Sequence, residues 1–146
     1  MLLLPASIHK QKIMKKVLIN TTAVAALLMA AAMMQSAKPD DVMTKEDGMT
    51  VVNTTTLSKN VIGYVDNTPL KIYIKKNKVQ KIEALKNQET PKYFVKVKKQ
   101  LLDKWNGKKV NEAIGLQVDG VTGATMSSDA VKENVRLGLE YYKKHK

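Results

Sequence analysis

The sequence predicts an α+β domain in which a small antiparallel sheet of three to four strands packs with two helices. Residues 70–74 alternate strictly, with Leu70, Ile72 and Ile74 on one face, as in a strand that buries one side. Apolar residues within 94–105 recur instead at the spacing of a helix. Because short turns separate the strand-like segments, neighbouring strands are expected to run antiparallel.

The composition excludes several kinds of site. The chain has no Cys, which rules out cysteine-ligated zinc, iron–sulfur clusters, disulfides and a Cys nucleophile. Its two histidines, His9 and His145, cannot supply the positioned imidazoles of a metal site or a Ser-His-Asp triad. We therefore expect neither a metal site nor a self-contained catalytic group. The net charge of +12 leaves nucleic acid, a membrane surface or an anionic ligand as candidate partners.

Residues 1–37 have the order of a secretory signal. Four lysines precede an apolar run without charge, and polar residues follow it. The most apolar part, residues 23–34, is shorter than the roughly 20 residues that span a membrane. We expect a cleaved signal peptide, with an uncleaved membrane anchor and a buried core helix as alternatives. The mature protein is accordingly expected in the periplasm or at the outer face of the cytoplasmic membrane.

The rest of the chain divides into a tether and a domain. Residues 38–48 are polar, which is typical of a linker, and the Thr- and Val-rich residues 49–57 could form a first strand. Residues 38–57 are therefore interpreted as a tether with a possible first strand, and 58–146 as the domain. In that domain, strands are expected at 61–65, 70–74 and 79–85, with turns at 66–68 and 75–78 and with Ile82 and Ala84 pointing inward.

Two helices complete the predicted domain. The first follows Pro91, ends at Asn106-Gly107, and has the apolar stripe Phe94, Val97, Leu101, Leu102 and Trp105. The second is expected to begin with Ser127 or Ser128 as its N-cap and Asp129 in its first turn. Its apolar positions are Val131, Val135, Gly138 and Tyr142.

The segment before the second helix carries the strongest chemical signal. Residues 119–128, DGVTGATMSS, hold two glycines and four hydroxyl side chains directly before a helix start. Such a loop lets backbone N–H groups approach a ligand, and the helix dipole favours phosphate. A plain capped turn would have the same composition. The segment matches neither the P-loop nor the dinucleotide-binding fingerprint.

This loop resembles the flavinylation motif of the FMN-binding domain family, through Asp119-Gly120, Thr122-Gly123-Ala124-Thr125 and Ser127-Ser128. That family includes the covalent-flavin subunits of sodium-pumping quinone reductases and related electron-transport complexes. The resemblance covers about residues 58–144. Further similar landmarks follow in order: 62–64, 69–85, Glu89-Thr90-Pro91 and 101–108.

The resemblance implies a phosphoester between the Thr125 hydroxyl and FMN, made by an exported flavin transferase that uses FAD. An external enzyme is expected because a threonine hydroxyl is a weak nucleophile without a neighbouring base. The cofactor-binding residues implied are Thr125, Ala124, Gly123, Thr122, Ser127, Ser128, Asp119, Glu89 and Thr90. Asp119 could help to bind metal during transfer or could cap the turn.

The Glu89-Thr90-Pro91 stretch departs from the family pattern, because Lys92 stands where the family usually has Gly. The backbone of this stretch tends to lie beside the flavin ring in the family. Tyr93 could therefore stack on the ring, and Lys92 could favour an anionic reduced flavin. Packing of Tyr93 and Phe94 within the first helix is the favoured interpretation, since aromatic side chains more often belong to a core.

The implied function is that of an extracytoplasmic electron carrier rather than a self-contained enzyme. Its expected partners are the flavin transferase and a membrane or extracytoplasmic redox partner. One alternative is a flavin-dependent reductase domain acting on a small acceptor. Another is a cofactor-free basic domain that binds an anionic partner.

Lysines are concentrated in residues 71–109, which hold 13 lysines and three acids. This segment contains no arginine, the residue preferred for bidentate recognition, so nucleic acid is not expected as a partner. A solvated surface is the simplest interpretation. Docking to an acidic redox partner or to an anionic membrane surface is the alternative.

Overall fold

The computed structural model describes residues 42–146, and the predicted leader at 1–37 lies outside them. The α+β class is confirmed: four antiparallel strands form a sheet in the order β1-β2-β3-β4. The strands are β1 (Met43–Glu46), β2 (Met49–Asn53), β3 (Leu70–Lys75) and β4 (Lys78–Ala84). The helices are α1 (Pro91–Leu101), a 3₁₀ turn (Leu102–Trp105), α2 (Val110–Ile114) and α3 (Thr125–His145).

The predicted inward face of β3 is confirmed, although Tyr73, on the other face, is also buried. Leu70, Ile72 and Ile74 are at most 1% exposed and belong to the core, where α3 also packs. In β4, Ile82 is buried and Ala84 is half-buried as expected. Burying the leucine and isoleucine side chains stabilises the sheet by roughly 1.5–3 kcal/mol per residue.

β1 lies in the segment for which the sequence indicates a tether. It pairs with β2 from Met43↔Val52 to Glu46↔Met49, through a turn at Asp47-Gly48. Both turn residues have positive φ, 49° and 74°, as a two-residue hairpin of this hand requires. The Asp-Gly pair was therefore a hairpin signal, and it outweighs the polar composition around it.

The strand predicted at 61–65 is wrong. This segment forms only an isolated bridge between Ile62 and Asn67, and Ile62, Tyr64 and Val65 are exposed. The N–H groups of Tyr64 and Val65 do not join a neighbouring strand, because a buried carboxylate accepts their hydrogen bonds, as described below. Those of Val61 and Gly63 donate locally, to the carbonyls of Ser58 and Asp66. A short apolar run therefore became a loop rather than a strand.

The helices follow the predicted apolar stripes but not every predicted boundary. All five stripe residues of the first helix are buried, and Gly107 ends the segment with φ +77°. The short helix α2 was not predicted. α3 begins at Thr125 rather than after a capping Ser127 or Ser128, which corrects both candidate caps. Asp129 therefore falls in the second turn, where it pairs with Lys132.

A buried polar cluster seats α3 on the sheet. The Thr54 hydroxyl donates to Asn134 Oδ1 at 2.6 Å and accepts from the Leu70 N–H at 2.9 Å. Asn134 Nδ2 donates to the Ala130 carbonyl at 3.0 Å. One turn further on, a Cβ at Gly138 would lie 2.6 Å from Ile72 Cδ1, so glycine is needed for this close approach. No helix within residues 42–146 is both long and apolar enough to cross a membrane.

Asn134→Ala is expected to destabilise the fold by about 2 kcal/mol, because it leaves the buried Thr54 hydroxyl without its acceptor and opens a small cavity. Denaturant unfolding measures this change. Asn111→Ala, at an exposed helical position, is the matched control and should change stability by no more than about 0.5 kcal/mol. Equal stability of the two variants would contradict the role given to the Asn134 amide.

Candidate functional site

A pocket of about 520 Å³ opens where three segments meet: the 61–68 loop, the start of α1 and the start of α3. Its volume falls in the range typical of sites for small ligands and cofactors. The lining residues are Tyr64, Glu89, Thr90, Tyr93, Gly123, Ala124, Thr125, Met126 and Ser127.

One wall of the pocket is the start of α3. Gly123 has φ +81°, a left-handed conformation that favours glycine, and it turns the chain into the helix. The N-cap position is Ala124, which has no side-chain oxygen to cap the helix. Within residues 42–146, the N–H groups of Thr125, Met126 and Ser127 have no hydrogen-bond acceptor. Free N–H groups at a helix start, together with the helix dipole, suit a phosphate.

Thr125 is the first residue of α3, and its side chain is exposed at the pocket. Its hydroxyl forms no hydrogen bond with any other side chain in the described part of the chain. The hydroxyl is thus accessible from solvent and lies beside the free N–H groups.

The pocket is held together by the carboxylate of Glu89, which is only 5% exposed. It accepts hydrogen bonds from the backbone N–H groups of Val65 at 2.8 Å, Asp66 at 3.0 Å and Tyr64 at 3.2 Å. The Ser127 hydroxyl also donates to it. Glu89 therefore ties the 61–68 loop to the first turn of α3.

The hydrogen bonds decide the charge state of Glu89. Burial by itself would raise the pKa of this carboxyl, but the bonds from Ser127 and from the backbone N–H groups of Val65, Asp66 and Tyr64 outweigh it. The net effect is a pKa below the usual range of a glutamate. Glu89 is consequently ionised at neutral pH, and all of its charge is directed at donors of the protein.

Three large side chains that line the pocket are open to solvent. Tyr64 is 69% exposed, Met126 56% and Tyr93 41%, although all three are large apolar side chains. Exposed aromatic faces around a concave site are suited to a flat aromatic ligand, because ring stacking is favourable there. The pocket thus joins a phosphate-binding helix start to surfaces suited to an aromatic ring.

The structure brings together six of the residues expected from the sequence: Thr125, Ala124, Gly123, Ser127, Glu89 and Thr90 all line the pocket. Thr122, Ser128 and Asp119 do not line it. Ser128 is fully buried, and its hydroxyl donates to the Ala124 carbonyl at 2.7 Å and accepts from the Val121 N–H at 3.0 Å, which holds the loop in shape.

Asp119 is exposed and forms no hydrogen bond with the turn, so it does not cap it. Within residues 42–146, no group of three or more His, Cys, Asp or Glu side chains is placed to hold a metal ion.

Sequence reasoning missed Tyr64 and Met126, and it favoured the wrong interpretation of Tyr93. Tyr93 lines the pocket, whereas its neighbour Phe94 is buried in the core as expected. The helical spacing of α1 was the available signal, because position 93 falls outside the buried stripe of Phe94, Val97 and Leu101. Tyr64 gave no such signal, since it lies in the apolar segment 61–65, for which the sequence predicts a strand and not a loop.

Fold and pocket define a small α+β domain built to hold a phosphorylated aromatic ligand at a helix start. The family model of the FMN-binding domain matches residues 63–140, which is more than half of the chain. The chain therefore belongs to the FMN-binding domain family. No curated protein and no solved structure is significantly similar to it.

The residues present fit FMN. The free N–H groups at the start of α3 suit its phosphate, and the exposed faces of Tyr64 and Tyr93 suit its ring system. FMN supplies electron transfer when it is bound, and the protein contributes binding and orientation. Membership of the family thus establishes FMN as the cofactor class and electron transfer as the general role.

Glu89→Gln is expected to lower the free energy of unfolding by about 2 kcal/mol at pH 7, because an amide cannot accept all of these hydrogen bonds as an anion does. Since the folded-state pKa of Glu89 is lowered, its contribution is complete above about pH 4.3, the pKa of an unfolded glutamate. The contribution is lost progressively as the pH falls from the unfolded-state pKa to the lower folded-state pKa.

Denaturant unfolding of both proteins at a series of pH values measures this effect. The stability gap between wild type and Glu89→Gln should narrow as the pH falls below the pKa of an unfolded glutamate, and it should close below the lowered folded-state pKa. The other carboxylates with lowered pKa, Glu83 and Glu133, are present in both proteins and cancel. Glu112→Gln, at an exposed carboxylate, should show no gap. A gap that is constant with pH would contradict the ionised state of Glu89.

Proposed function

We propose that this protein is an extracytoplasmic electron carrier that holds FMN as a phosphoester on Thr125. The observation that carries the proposal is the position of the Thr125 hydroxyl. It is exposed on the first residue of α3, beside three free backbone N–H groups and at the edge of a pocket with aromatic walls. A phosphate joined to this oxygen would lie where the helix dipole stabilises it most.

The attachment requires FAD as donor and a separate transferase as catalyst. The bond between Thr125 Oγ1 and the flavin-bearing phosphorus forms, the pyrophosphate bond of FAD breaks, and AMP leaves. The hydroxyl proton passes to a base of the transferase. An external base is needed because Glu89 is occupied by four donors and because the histidine of the described residues, His145, ends α3 far from the pocket.

The side chains of the pocket would then bind and orient the flavin. Tyr64 and Tyr93 offer aromatic faces to the ring, and Met126 offers a polarisable thioether. The Lys92 ammonium lies 5.7 Å from the centre of the Tyr93 ring, so positive charge is present at this wall. Positive charge near the ring favours reduced flavin that carries negative charge.

A carrier is favoured over a self-contained enzyme by the state of the lining side chains. Among them, the sole carboxylate is Glu89, and its hydrogen bonds are already made. No free carboxylate or imidazole in the lining is thus available to exchange protons with a substrate. A covalent bond also prevents loss of the cofactor by dilution outside the cell, which fits the signal-like order of residues 1–37.

Co-expression with a flavin transferase tests the attachment. Wild type should show flavin fluorescence after denaturing electrophoresis and a mass increase of one FMN less one water. Thr125→Ala should lose both signals, because the accepting oxygen is gone. Thr125→Ser is the matched variant that retains a hydroxyl, and it should still be labelled.

Thr55→Ala is the second control, since Thr55 is an exposed threonine that lies outside the 119–128 loop and does not line the pocket. Its label should be retained. A dark wild-type band, beside a known transferase substrate that is labelled, would overturn the covalent attachment. Label on Thr125→Ala equal to that on wild type would place the attachment at another residue.

A further inference from the structure

A cluster of lysines lies at the end of the domain opposite the pocket. We call it the basic pole, and its residues are Lys75, Lys76, Lys78, Lys108, Lys109, Lys143, Lys144 and Lys146, all of which are exposed. They come from three separate segments: the turn between β3 and β4, the stretch before α2 and the last turn of α3. The cluster is therefore a product of the fold and not of one charged run.

Backbone and side-chain contacts join these three segments. Lys78 and Lys109 are paired across an isolated bridge, and the Val79 N–H donates to the Lys108 carbonyl at 2.9 Å. The Lys146 ammonium donates to Asn77 Oδ1 at 3.0 Å, which brings the end of α3 to the β3–β4 turn. The positive charges therefore share one surface.

The charges of the basic pole are not neutralised by neighbours. Among the ion pairs within residues 42–146, none includes any of the eight lysines; the pairs involve Lys71, Lys81, Lys132 and Arg136 instead. Acids on the same or adjoining segments include Glu140, one turn before Lys143 and Lys144 on α3, which is paired with Arg136. Asp47, in the β1–β2 turn, and Glu112, in α2, are exposed and form no ion pair within residues 42–146. The surface thus keeps a strong excess of positive charge.

Ordinary structural needs explain only part of this cluster. Cations at the end of a helix stabilise its dipole, which accounts for Lys143 and Lys144 but not for lysines on the other two segments. Lys76 has φ +49°, a conformation for which glycine or asparagine is better suited. A lysine is thus present at a turn position where its backbone conformation is unfavourable.

We propose that the basic pole binds the surface of an anionic phospholipid bilayer. The large apolar side chains that are exposed in residues 42–146 are Ile62, Tyr64, Val65, Tyr93, Val95 and Met126, and none of them belongs to this surface. Protein interfaces are typically enriched in aromatic residues and arginine and depleted in lysine. A surface of flexible lysines without such anchors suits a fluid, charged membrane better than a shaped protein partner.

This placement separates membrane binding from the flavin site. α3 has 21 residues, and Thr125 begins it while the lysines at 143–146 end it, so the two sites lie about 30 Å apart. A domain that rests on lipid through the basic pole turns its pocket away from the bilayer. The pocket then stays accessible to the transferase and to an aqueous redox partner.

Sedimentation of the full chain with vesicles tests the proposal. Vesicles of phosphatidylglycerol and phosphatidylcholine are compared with vesicles of phosphatidylcholine alone, at low and high salt. The variant Lys75→Gln/Lys76→Gly/Lys109→Gln removes three charges from the pole, and glycine at position 76 suits the positive φ, so folding is preserved. The variant Lys59→Gln/Lys86→Gln/Lys96→Gln removes three exposed lysines elsewhere and is the matched control.

Wild type should prefer the anionic vesicles, and the preference should weaken as salt rises. Each pole lysine is expected to contribute about fivefold in affinity, so the pole variant should bind about a hundredfold more weakly, while the control loses less than about fivefold. Thermal unfolding checks that both variants fold. Any part of the binding that comes from residues 1–41 is the same in all three proteins.

Equal losses in the two variants would overturn the proposal in favour of net charge alone. Equal binding to both kinds of vesicle would overturn it as well. Tighter binding to polyglutamate than to anionic vesicles of the same total charge would also overturn it, because the partner of the basic pole would then be an acidic protein and not a membrane.

Discussion

The buried carboxylate of Glu89 is the interaction on which the site depends. One anion accepts hydrogen bonds from three successive backbone N–H groups and from the hydroxyl of Ser127. Such charge-assisted bonds are about twice as strong as neutral ones, and a buried carboxylate without them would be strongly unfavourable. The 61–68 loop and the first turn of α3 are therefore held in one arrangement, although they are far apart in the sequence.

The sheet and α3 form the rigid frame on which the hydrogen bonds of Glu89 fix the loop. The Thr54–Asn134 hydrogen bond and the close approach at Gly138 hold α3 against β2 and β3. Its first turn then presents Thr125 with free N–H groups, and its last turn joins the lysines of the β3–β4 turn. One helix thus carries two different surfaces, one suited to a phosphate and the other positively charged and exposed. If the basic pole binds a membrane as proposed, the FMN pocket at the other end of the helix faces away from it.

Local patterns in the sequence predicted the elements whose structure depends mainly on residues close to them along the chain. Leu70, Ile72 and Ile74 recur at every second position because they share the sheet face that joins the core with α3, and Phe94 and Val97 recur because one helix face is buried. Thr125, Gly123 and Glu89 were expected in the site through the motif, and the structure brings them to one pocket. In these cases the neighbours along the chain contain the information.

Other elements depend on partners that are distant in the sequence. The segment 61–65 has the composition of a strand, but the N–H groups of Tyr64 and Val65, like that of the adjacent Asp66, donate to a carboxylate 23 to 25 residues away. No local pattern reveals this. Ser127 was one of two residues expected to cap α3, yet its hydroxyl donates to Glu89, and the N-cap is Ala124, three residues before Ser127. Tyr64 lines the pocket for the same reason, because its loop is held by hydrogen bonds to Glu89 and does not join the sheet.

Amide hydrogen exchange at Tyr64, Val65 and Asp66 tests the role of Glu89 most directly. These three amides should be protected in the wild-type protein, and in Glu89→Gln they should lose protection together, by at least about tenfold more than the amides of β3. Such a pattern would mean that the loop opens locally when the carboxylate is replaced. Unchanged protection of the three amides, or a loss equal to that of β3, would contradict the conclusion that Glu89 locks this side of the pocket.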